Sequence, residues 1–370
     1  MTTPARSRRC STSRWISAVS ASTRSTSSST PDLITWPDHQ GGRRGRSVAR
    51  VSESFGVYVH IPFCARRCDY CAFATWTDRH HLQLAYLDAL RRDVERSVER
   101  PATTVFVGGG TPTLVDPHAL AAVIAAIPRV PGAEVTVECN PDDVTPELLE
   151  AYLAAGVNRV SIGVQSMVPH VLTALGRWHD PDNVVRAVGH VVAAGLPTWN
   201  MDLIYGGAGE TVADWEHTVR RALDLAPPHV SAYALTVEAG TPLAAQPDRH
   251  PDDDDLADKY ELADDLFAAA GLDNYEVSNW SRPGHESRHN RLYWLQCDYL
   301  GFGSAAHSHR AGRRWWNVRT PERYIAALDE GRSTEASGET LDADTRRIEG
   351  LQLALRMREG VAVDAFDPDD

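Results

Sequence analysis

The sequence predicts an α/β fold in which a partial (β/α)6 barrel is followed by a smaller α+β unit and by the start of a helical domain. Three observations support this prediction. From residue 57 onward, short runs rich in β-branched residues alternate with helical stretches; the alternation ends near residue 243; and polar residues or glycines follow several of the runs. Successive βα units build a parallel sheet, whose ligands bind at the carboxyl ends of the strands.

The first 54 residues do not share this pattern. They are rich in Ser, Thr and Arg, contain no acidic residue before Asp32, and show neither helical nor strand periodicity. We therefore predict that residues 1–54 are a disordered tail or result from a misassigned start codon. An organellar transit peptide is the weaker alternative, because arginine replaces lysine throughout a chain in which Lys259 is the only lysine.

The barrel is predicted over residues 55–243, with one strand for each apolar, β-branched run. The six strands are expected at residues 57–61, 104–107, 134–138, 159–164, 198–204 and 230–234. Helices are expected between the strands, among others at residues 81–98, 117–127 and 146–155. Asp116 and Thr145 can cap the last two of these helices, and Gly156 can end the third.

Beyond the barrel the composition changes. Residues 252–255 are four consecutive aspartates, which favour the amino end of a helix at residues 256–270. A stretch rich in Trp, Tyr, His and Gly follows, and we predict a second subdomain at residues 244–335. A helix at residues 343–358 is then expected to begin an incomplete helical domain at residues 336–370.

Composition excludes several functions. The formal net charge of −13 does not suit a protein that binds nucleic acid by neutralising phosphates. No run of about 18 apolar residues is present, so no transmembrane segment is predicted. Six cysteines in 370 residues are too few for a disulfide scaffold, and three of them crowd into residues 64–71. Clustered thiols of this kind indicate a metal site in a cytoplasmic protein.

Cys64, Cys68 and Cys71 follow the first predicted strand, with three residues and then two between them. Three thiolates on one short loop can ligate three irons of a 4Fe-4S cubane and leave the fourth iron open. A structural zinc site is one alternative, for which His60 could supply the fourth ligand. A reactive thiol is another, although one nucleophile does not explain three neighbouring cysteines.

The next predicted strands end in glycines or polar residues. The second strand is closed by residues 108–111, three glycines and a threonine, where absent Cβ atoms let the backbone approach a ligand. The third, fourth and fifth strands end at Glu138, Gln165 and Asp202. Because the carboxyl ends of parallel strands share one rim, we expect these groups to surround the cysteine loop.

The C-x3-C-x2-C loop resembles the signature of the radical SAM superfamily, and the rim resembles that of the oxygen-independent coproporphyrinogen oxidase family. The resemblance implies that the cysteines hold a 4Fe-4S cluster whose open iron chelates S-adenosylmethionine (SAM). It also implies that SAM contacts Tyr58, Tyr70, Gly109, Gly110, Thr111, Glu138, Gln165, Arg177 and Asp202. One-electron reduction by an electron donor would then cleave SAM to methionine and a 5′-deoxyadenosyl radical.

A second motif selects a branch within that family. The oxidases carry a fourth cysteine where this sequence has Phe73. Phenylalanine there, together with the motif His289-Asn290-x-x-Tyr293-Trp294, resembles the heme chaperone branch. The resemblance implies that the protein binds heme and delivers it to acceptor proteins such as respiratory enzymes.

The residue that would ligate heme is not fixed by the motif alone. His289 could offer its imidazole to the iron within an aromatic wall, and His307 and His309 are second candidates. In the alternative interpretation, His289 and Asn290 hydrogen-bond within the fold and the aromatic side chains fill the core. Two other functions also stay open: an oxidase that decarboxylates coproporphyrinogen III, and a zinc-stabilised scaffold without redox chemistry. Whether SAM is cleaved is a separate open question.

Overall fold

The computed structural model describes residues 54–362, and within this part of the chain the strands form one sheet of 12 strands. The strands are β1 (Phe55–Ile61), β2 (Ala102–Gly109), β3 (Arg129–Cys139), β4 (Arg159–Gln165), β5 (Thr198–Tyr205), β6 (His229–Ala234), β7 (Asp273–Glu276), β8 (Asn279–Ser281), β9 (Asp298–Phe302), β10 (His307–Arg310), β11 (Arg313–Asn317) and β12 (Glu335–Thr340). Their order across the sheet is β12-β11-β10-β9-β1-β2-β3-β4-β5-β6-β8-β7. The extension predicted at residues 1–54 lies, except for its last residue, outside the described residues.

The six predicted strands of the α/β barrel are confirmed as β1 to β6, which run parallel to one another. Side chains alternate between the two faces of each strand. On β1, Val57, Val59 and Ile61 are fully buried in the core that the helices cover. Tyr58 and His60 point to the opposite face, which we call the inner face.

The helices are α1 (Gln83–Ser97), α2 (Pro117–Ala126), α3 (Pro146–Ala154), α4 (Pro169–Ala174), α5 (Pro181–Ala193), α6 (Val212–Leu223), α7 (Asp253–Ala269), α8 (Arg288–Trp294), α9 (Pro321–Asp329) and α10 (Ala343–Ala354). Helices between the parallel strands cover the outer face of the sheet, whereas α8 packs on the inner face, where His289 contacts Thr104 and Phe106. The predicted caps are present, since the side chains of Asp116 and Thr145 accept hydrogen bonds from backbone amides in the first turns of α2 and α3.

The aspartate run also acts at a helix terminus. Asp252 caps α7 by accepting hydrogen bonds from the amides of Asp254 and Asp255. The helix therefore begins at Asp253, three residues before the predicted start, because carboxylates are favourable within the first turn as well as before it.

The strands after residue 243 extend the barrel sheet at both of its edges. On one side, β8 pairs antiparallel with β6, and β7 pairs with β8. On the other side, β9 pairs parallel with β1, and β10 to β12 continue antiparallel. The smaller α+β unit thus has no separate sheet. The boundaries predicted at residues 55–243, 244–335 and 336–370 remain predictions.

The last predicted helix is shorter than expected. It ends at Ala354 rather than at residue 358, because the chain beyond it pairs with the end of β7. The amide of Val277 donates to the carbonyl of Arg356 at 3.0 Å, and the amide of Arg358 donates to the carbonyl of Tyr275 at 3.0 Å. Among residues 54–362, no helix combines the length and apolarity that crossing a bilayer requires.

Candidate functional site

The cysteine loop connects β1 to α1 at the carboxyl end of the parallel strands. Cys64, Cys68 and Cys71 are partly exposed, and none of them forms a disulfide. The loop is closed by backbone hydrogen bonds, including those from Cys64 N to Trp76 O at 3.1 Å and from Trp76 N to Pro62 O at 2.7 Å. Burial raises the pKa of the Cys64 and Cys71 thiols, so they keep their protons at neutral pH unless a cation replaces them.

The glycine segment after β2 packs directly on this loop. The amide of Gly110 donates to Ile61 O at 2.7 Å, and the amide of Thr111 donates to Phe63 O at 2.8 Å. A Cβ atom on Gly110 would lie 2.6 Å from Phe63 O and 3.1 Å from the sulfur of Cys64. Glycine is therefore required here for packing of the protein on itself, and the Thr111 hydroxyl lies 3.7 Å from the same sulfur.

His60 connects β1 to the cysteine loop. Its Nε2 donates to Ala74 O at 2.9 Å, so Nδ1 is the nitrogen that accepts from the Tyr58 hydroxyl, also at 2.9 Å. Burial lowers the pKa of His60 to about 4, which keeps this ring neutral. Because both ring nitrogens are occupied, His60 is not placed as the fourth ligand of a zinc site.

Gly109 makes room for the His60 ring. Gly109 has φ +107°, a conformation that other residues rarely adopt, and a Cβ atom there would overlap Nδ1 of His60. Its amide donates to the Glu138 carboxyl at 3.1 Å. Sequence reasoning considered His60 only as a zinc ligand, although its two-residue spacing from Tyr58 already places both side chains on one face of β1.

Arg177 brings a positive charge to the second cysteine. One guanidinium nitrogen lies 3.7 Å from the sulfur of Cys68, and another donates to Gly163 O at 3.0 Å. Gln165 ends β4 with φ 63°, beyond an irregularity in the strand at residues 163–165. A non-glycine residue in this region of backbone space is strained, and such strain is concentrated at ligand sites.

Tyr70 lies between the second and third cysteines and packs on apolar side chains that include Val171 and Leu175. Burial raises the pKa of its phenol, and the thiols of Cys68 and Cys71 add to this effect. Tyr70 therefore stays protonated and forms an apolar wall with a polar tip beside the loop.

Two buried carboxyl groups, Glu138 and Asp202, lie on the inner rim. Asp202 accepts hydrogen bonds from the Ser161 hydroxyl at 2.8 Å and from the Asn200 amide group at 2.7 Å. Burial, with a contribution from the charge of Asp202, raises the pKa of Glu138 to about 8, and burial also raises the pKa of Asp202. At neutral pH Glu138 is mostly protonated and can donate as well as accept a hydrogen bond.

The donor set fits an iron-sulfur cluster. Among residues 54–362, no three His, Cys, Asp or Glu side chains converge as the ligands of a single metal ion do. Three thiols distributed along one loop instead suit the separate irons of a cubane. Within the loop, Phe73 is 65% exposed, and Arg66 stacks on the equally exposed Trp178 at 4.7 Å. Sequence reasoning missed this aromatic and basic surface, for which no local pattern gave a signal.

The second motif lies toward the other end of the strands, on α8. His289 is 0% exposed; its Nδ1 is 2.8 Å from the Thr104 hydroxyl and its Nε2 is 2.8 Å from the Tyr293 hydroxyl. The backbone amides of Arg288 and His289 donate to the carboxylate of Glu134 at 3.1 and 3.0 Å. Burial lowers the pKa of His289 to about 3. Both ring nitrogens are therefore used within the fold.

The remaining motif residues have different surroundings. The backbone amide of Asn290 donates a hydrogen bond to the hydroxyl of Ser287, which caps α8, at 3.3 Å. Among the residues that the structure describes, the indole nitrogen of Trp294 is buried without a hydrogen-bond partner, and Arg356 stacks on its ring at 4.4 Å. The structure thus places the cysteine loop with Tyr70, the glycine segment, Arg177 and the strand-end residues Glu138, Gln165 and Asp202 at the carboxyl end of the parallel strands. The His289 motif lies toward the amino end but adjoins the same inner face, where the ring of Phe106 stacks on both Tyr58 and His289.

Comparison with known proteins identifies the family. Residues 58–222 match the model of the radical SAM superfamily. The chain is 42% identical over 324 residues to the heme chaperone HemW of Mycobacterium tuberculosis, covering 84% of this chain and 83% of that protein. It is 35% identical over 317 residues to the heme chaperone HemW of Escherichia coli, covering 81% and 84% of the two chains.

Among solved structures, the coproporphyrinogen III oxidase HemN from Escherichia coli, a radical SAM enzyme, superposes with a TM-score of 0.73. The sequences are 22% identical, and the match covers 85% of this chain and 79% of that one, so this likeness concerns the fold alone. With relatives this similar along most of its length, the chain belongs to the HemW heme chaperone family of the radical SAM superfamily.

Proposed function

We propose that this protein is a heme chaperone that holds a 4Fe-4S cluster and SAM at the carboxyl end of its parallel strands and delivers heme to acceptor proteins. One observation carries the proposal: three free, partly exposed thiols lie on a single loop that the glycine segment and Arg177 hold in place. The similarity to proteins named heme chaperones supplies the cargo.

Cys64, Cys68 and Cys71 would hold the cluster. When bound, the cluster supplies one-electron chemistry on SAM. The protein contributes the positive charge of Arg177, which lies 3.7 Å from the sulfur of Cys68, and the hydrogen bond from the Gly110 amide to Ile61 O, which fixes the loop against β2.

The SAM site would use nine residues. They are Tyr58, Tyr70, Gly109, Gly110, Thr111, Glu138, Gln165, Arg177 and Asp202. Because an ammonium group only donates hydrogen bonds, that of SAM would bind to oxygen acceptors of the rim. The carboxyls of Glu138 and Asp202, together with backbone carbonyls, are acceptors of this kind.

Heme would be the cargo, and respiratory enzymes in the cytoplasmic membrane are acceptors that a cytoplasmic chaperone can reach. A protein electron donor would reduce the cluster. The first candidates for heme contact are His289, Asn290, Tyr293 and Trp294. In the structure both ring nitrogens of His289 are bonded, so coordination of iron by this residue would require one of these bonds to break.

The proposal is tested by anaerobic purification of the wild type and of a variant with all three loop cysteines changed to alanine. The wild type is expected to be brown, with about four iron and four sulfide per chain, and the triple variant to lose both. Cys139→Ala is the matched control, because Cys139 is buried on β3 and far in sequence from the loop. Retention of iron by the triple variant, or a stoichiometric content of zinc in the wild type, would contradict the proposal.

A second assay separates the chaperone from the oxidase. Coproporphyrinogen III, SAM and a reductant are added to the loaded protein. No protoporphyrinogen is expected, because Phe73 stands where the oxidases carry a fourth cysteine. Its formation would replace the chaperone proposal with the enzymatic one.

A further inference from the structure

The barrel interior contains a buried arginine that the proposed cluster and SAM sites do not use. Arg159 begins β4 and is 2% exposed. Because Val160 packs in the apolar core and side chains alternate along a strand, Arg159 points to the inner face. A guanidinium keeps its positive charge at every pH at which proteins fold, so a full charge is enclosed in the barrel.

No acidic side chain pairs with this charge. Nε of Arg159 is buried without a hydrogen-bond partner, and the guanidinium forms no ion pair with any residue that the structure describes. Lys259 shows the usual arrangement of a buried cation. Its Nζ pairs with Asp255 at 2.6 Å and with Glu210 at 3.2 Å, and it donates to the carbonyl of Glu210 at 2.9 Å. Because an unpaired buried charge is costly, Arg159 needs a negative partner that its neighbours do not supply.

A second unpaired donor lies next to Arg159. Thr136 on β3 is the register partner of Arg159 in the parallel pairing of β3 with β4, and such strands are about 4.8 Å apart. Val135 and Val137 pack in the apolar core, so Thr136 also faces inward. Its hydroxyl is buried without a hydrogen-bond partner among the described residues. A hydroxyl and a guanidinium that can both donate to one point suit an anion.

Neighbouring ionisable groups are engaged elsewhere. Asp202 accepts hydrogen bonds from neutral side chains of β4 and β5 at 2.8 and 2.7 Å. Burial raises the pKa of Asp202, and these hydrogen bonds and the charge of Arg159 oppose the rise. Glu134 accepts two backbone amides of α8 at 3.1 and 3.0 Å. Burial lowers the pKa of His229, which is neutral and bonds through both ring nitrogens. The donors of Arg159 and Thr136 are therefore left over.

We propose that Arg159 and Thr136 form a binding site for one monovalent anion inside the barrel, which is either a free halide or the carboxylate group of a larger ligand. Thr136 precedes Glu138 by two residues on the same face of β3, so the site lies about 7 Å below that rim carboxyl. A ligand at the rim with a short carboxylate-bearing arm would reach it. The inference depends on neither the cluster nor heme, so it can hold if the chaperone proposal fails.

The test is the thermal unfolding midpoint of the anaerobically purified full-length protein as bulky gluconate is replaced, at constant ionic strength, by a smaller anion. Chloride and bromide form one arm, and formate and acetate form the other. Ligands that bind only the folded state stabilise it, so an anion that occupies the site at about tenfold its Kd should raise the midpoint of the wild type by about 3 °C.

Arg159→Met is expected to lose this dependence on the anion. Methionine fills much of the volume without the charge, and apolar replacement of buried charges is often tolerated by a fold. Arg129→Met is the matched control and should keep the dependence, because Arg129 donates to the carbonyl of Ala155 at 2.9 Å.

Thr136→Val is the second variant, which keeps the test decisive if Arg159→Met does not fold. Valine has nearly the shape of threonine but no hydroxyl. Because one donor to the anion is removed, about tenfold more anion should be needed for the same rise of the midpoint. An unchanged dependence in Thr136→Val would then overturn the inference.

The arms identify the anion. Stabilisation by the halides that is lost in Arg159→Met, with a bromide anomalous-scattering peak beside the guanidinium in crystals, assigns a free halide. Stabilisation by formate and acetate alone, also lost in that variant, assigns the carboxylate of a larger ligand. The same dependence in the wild type and in Arg159→Met overturns the inference. No dependence in the wild type also overturns it and assigns a water molecule to the site.

Discussion

The two ends of the parallel strands differ in how their polar groups are satisfied. Near the amino end, His289 bonds through both ring nitrogens, and Glu134 accepts two backbone amides. At the carboxyl end, three thiols are free and partly exposed, and the Glu138 carboxyl accepts one bond from Gly109. The polar side chains near the amino end thus hydrogen-bond within the fold, whereas those at the carboxyl end can still bind a ligand.

This difference shows that a polar motif does not by itself identify a binding site. The bonding capacity that remains after folding separates a ligand from a structural residue. His289 and the cysteine loop illustrate the point, since both ring nitrogens of His289 are bonded within the fold, whereas the three loop thiols are free.

The largest effect is expected from His289→Ala. The substitution leaves the hydroxyls of Thr104 and Tyr293 without their buried partner and opens a cavity, so the free energy of unfolding should fall by about 3–5 kcal/mol. Urea unfolding measures it. The exposed His307→Ala should change the value by about 0.5 kcal/mol or less. Equal stability of the two variants would show that the hydrogen bonds of His289 do not stabilise the fold.

Gly109→Ala should be the next most damaging substitution. A Cβ atom would meet the His60 ring and force it away from Tyr58, at a cost of about 2–4 kcal/mol. Gly132 is the matched control, because it also has positive φ but nothing lies within 4 Å of a Cβ atom there. Gly132→Ala should cost about 1 kcal/mol from backbone strain alone. Similar losses for the two alanine variants would rule out the steric explanation.

Variants of two threonines allow a direct comparison of the two ends of the parallel strands. Thr104→Val removes a buried hydrogen bond of 2.8 Å to His289 and should cost about 1–3 kcal/mol. Thr111→Val removes a contact of 3.7 Å with the Cys64 sulfur and should cost about 0.5 kcal/mol or less in the protein without its cluster. Thermal unfolding of both variants is the measurement, and a reversed order would contradict the comparison.

The last expected effect depends on pH. The pKa of Glu138 rises from 4.5 to about 8 on folding, so between these values the unfolded chain has lost a proton that the folded protein keeps. Stability from this group is complete below pH 4.5 and is lost as the pH rises through 8. Relative to the wild type, Glu138→Gln should gain stability as the pH rises from 4 to 8, and it should be no more stable than the wild type at pH 4. Parallel stability profiles for the two proteins would show that Glu138 does not titrate in this way.

The sequence was sufficient for the parts of the fold that depend on local patterns. Alternating β-branched residues such as Val57 and Val59 predicted β1 to β6, and Asp116 and Thr145 predicted helix starts, because these signals act over a few residues. The same reasoning placed Glu138, Gln165 and Asp202 at one rim, since parallel strands end on the same side.

Contacts between distant segments could not be predicted in this way. The pairing of β9 with β1, the end of α10 at Ala354 and the partners of His289 all depend on tertiary neighbours. Nothing in the residues around His289 shows that Thr104 will lie 2.8 Å from its ring.

The central position of β1 has a consequence for synthesis on the ribosome. β1 emerges early, yet its neighbour β9 is translated only after the whole barrel. Until then β1 has an open edge, and its unpaired amides and carbonyls are available to other chains. Strand pairing on both sides of β1, which leads into the cysteine loop, is therefore completed only after residue 302 has been synthesised.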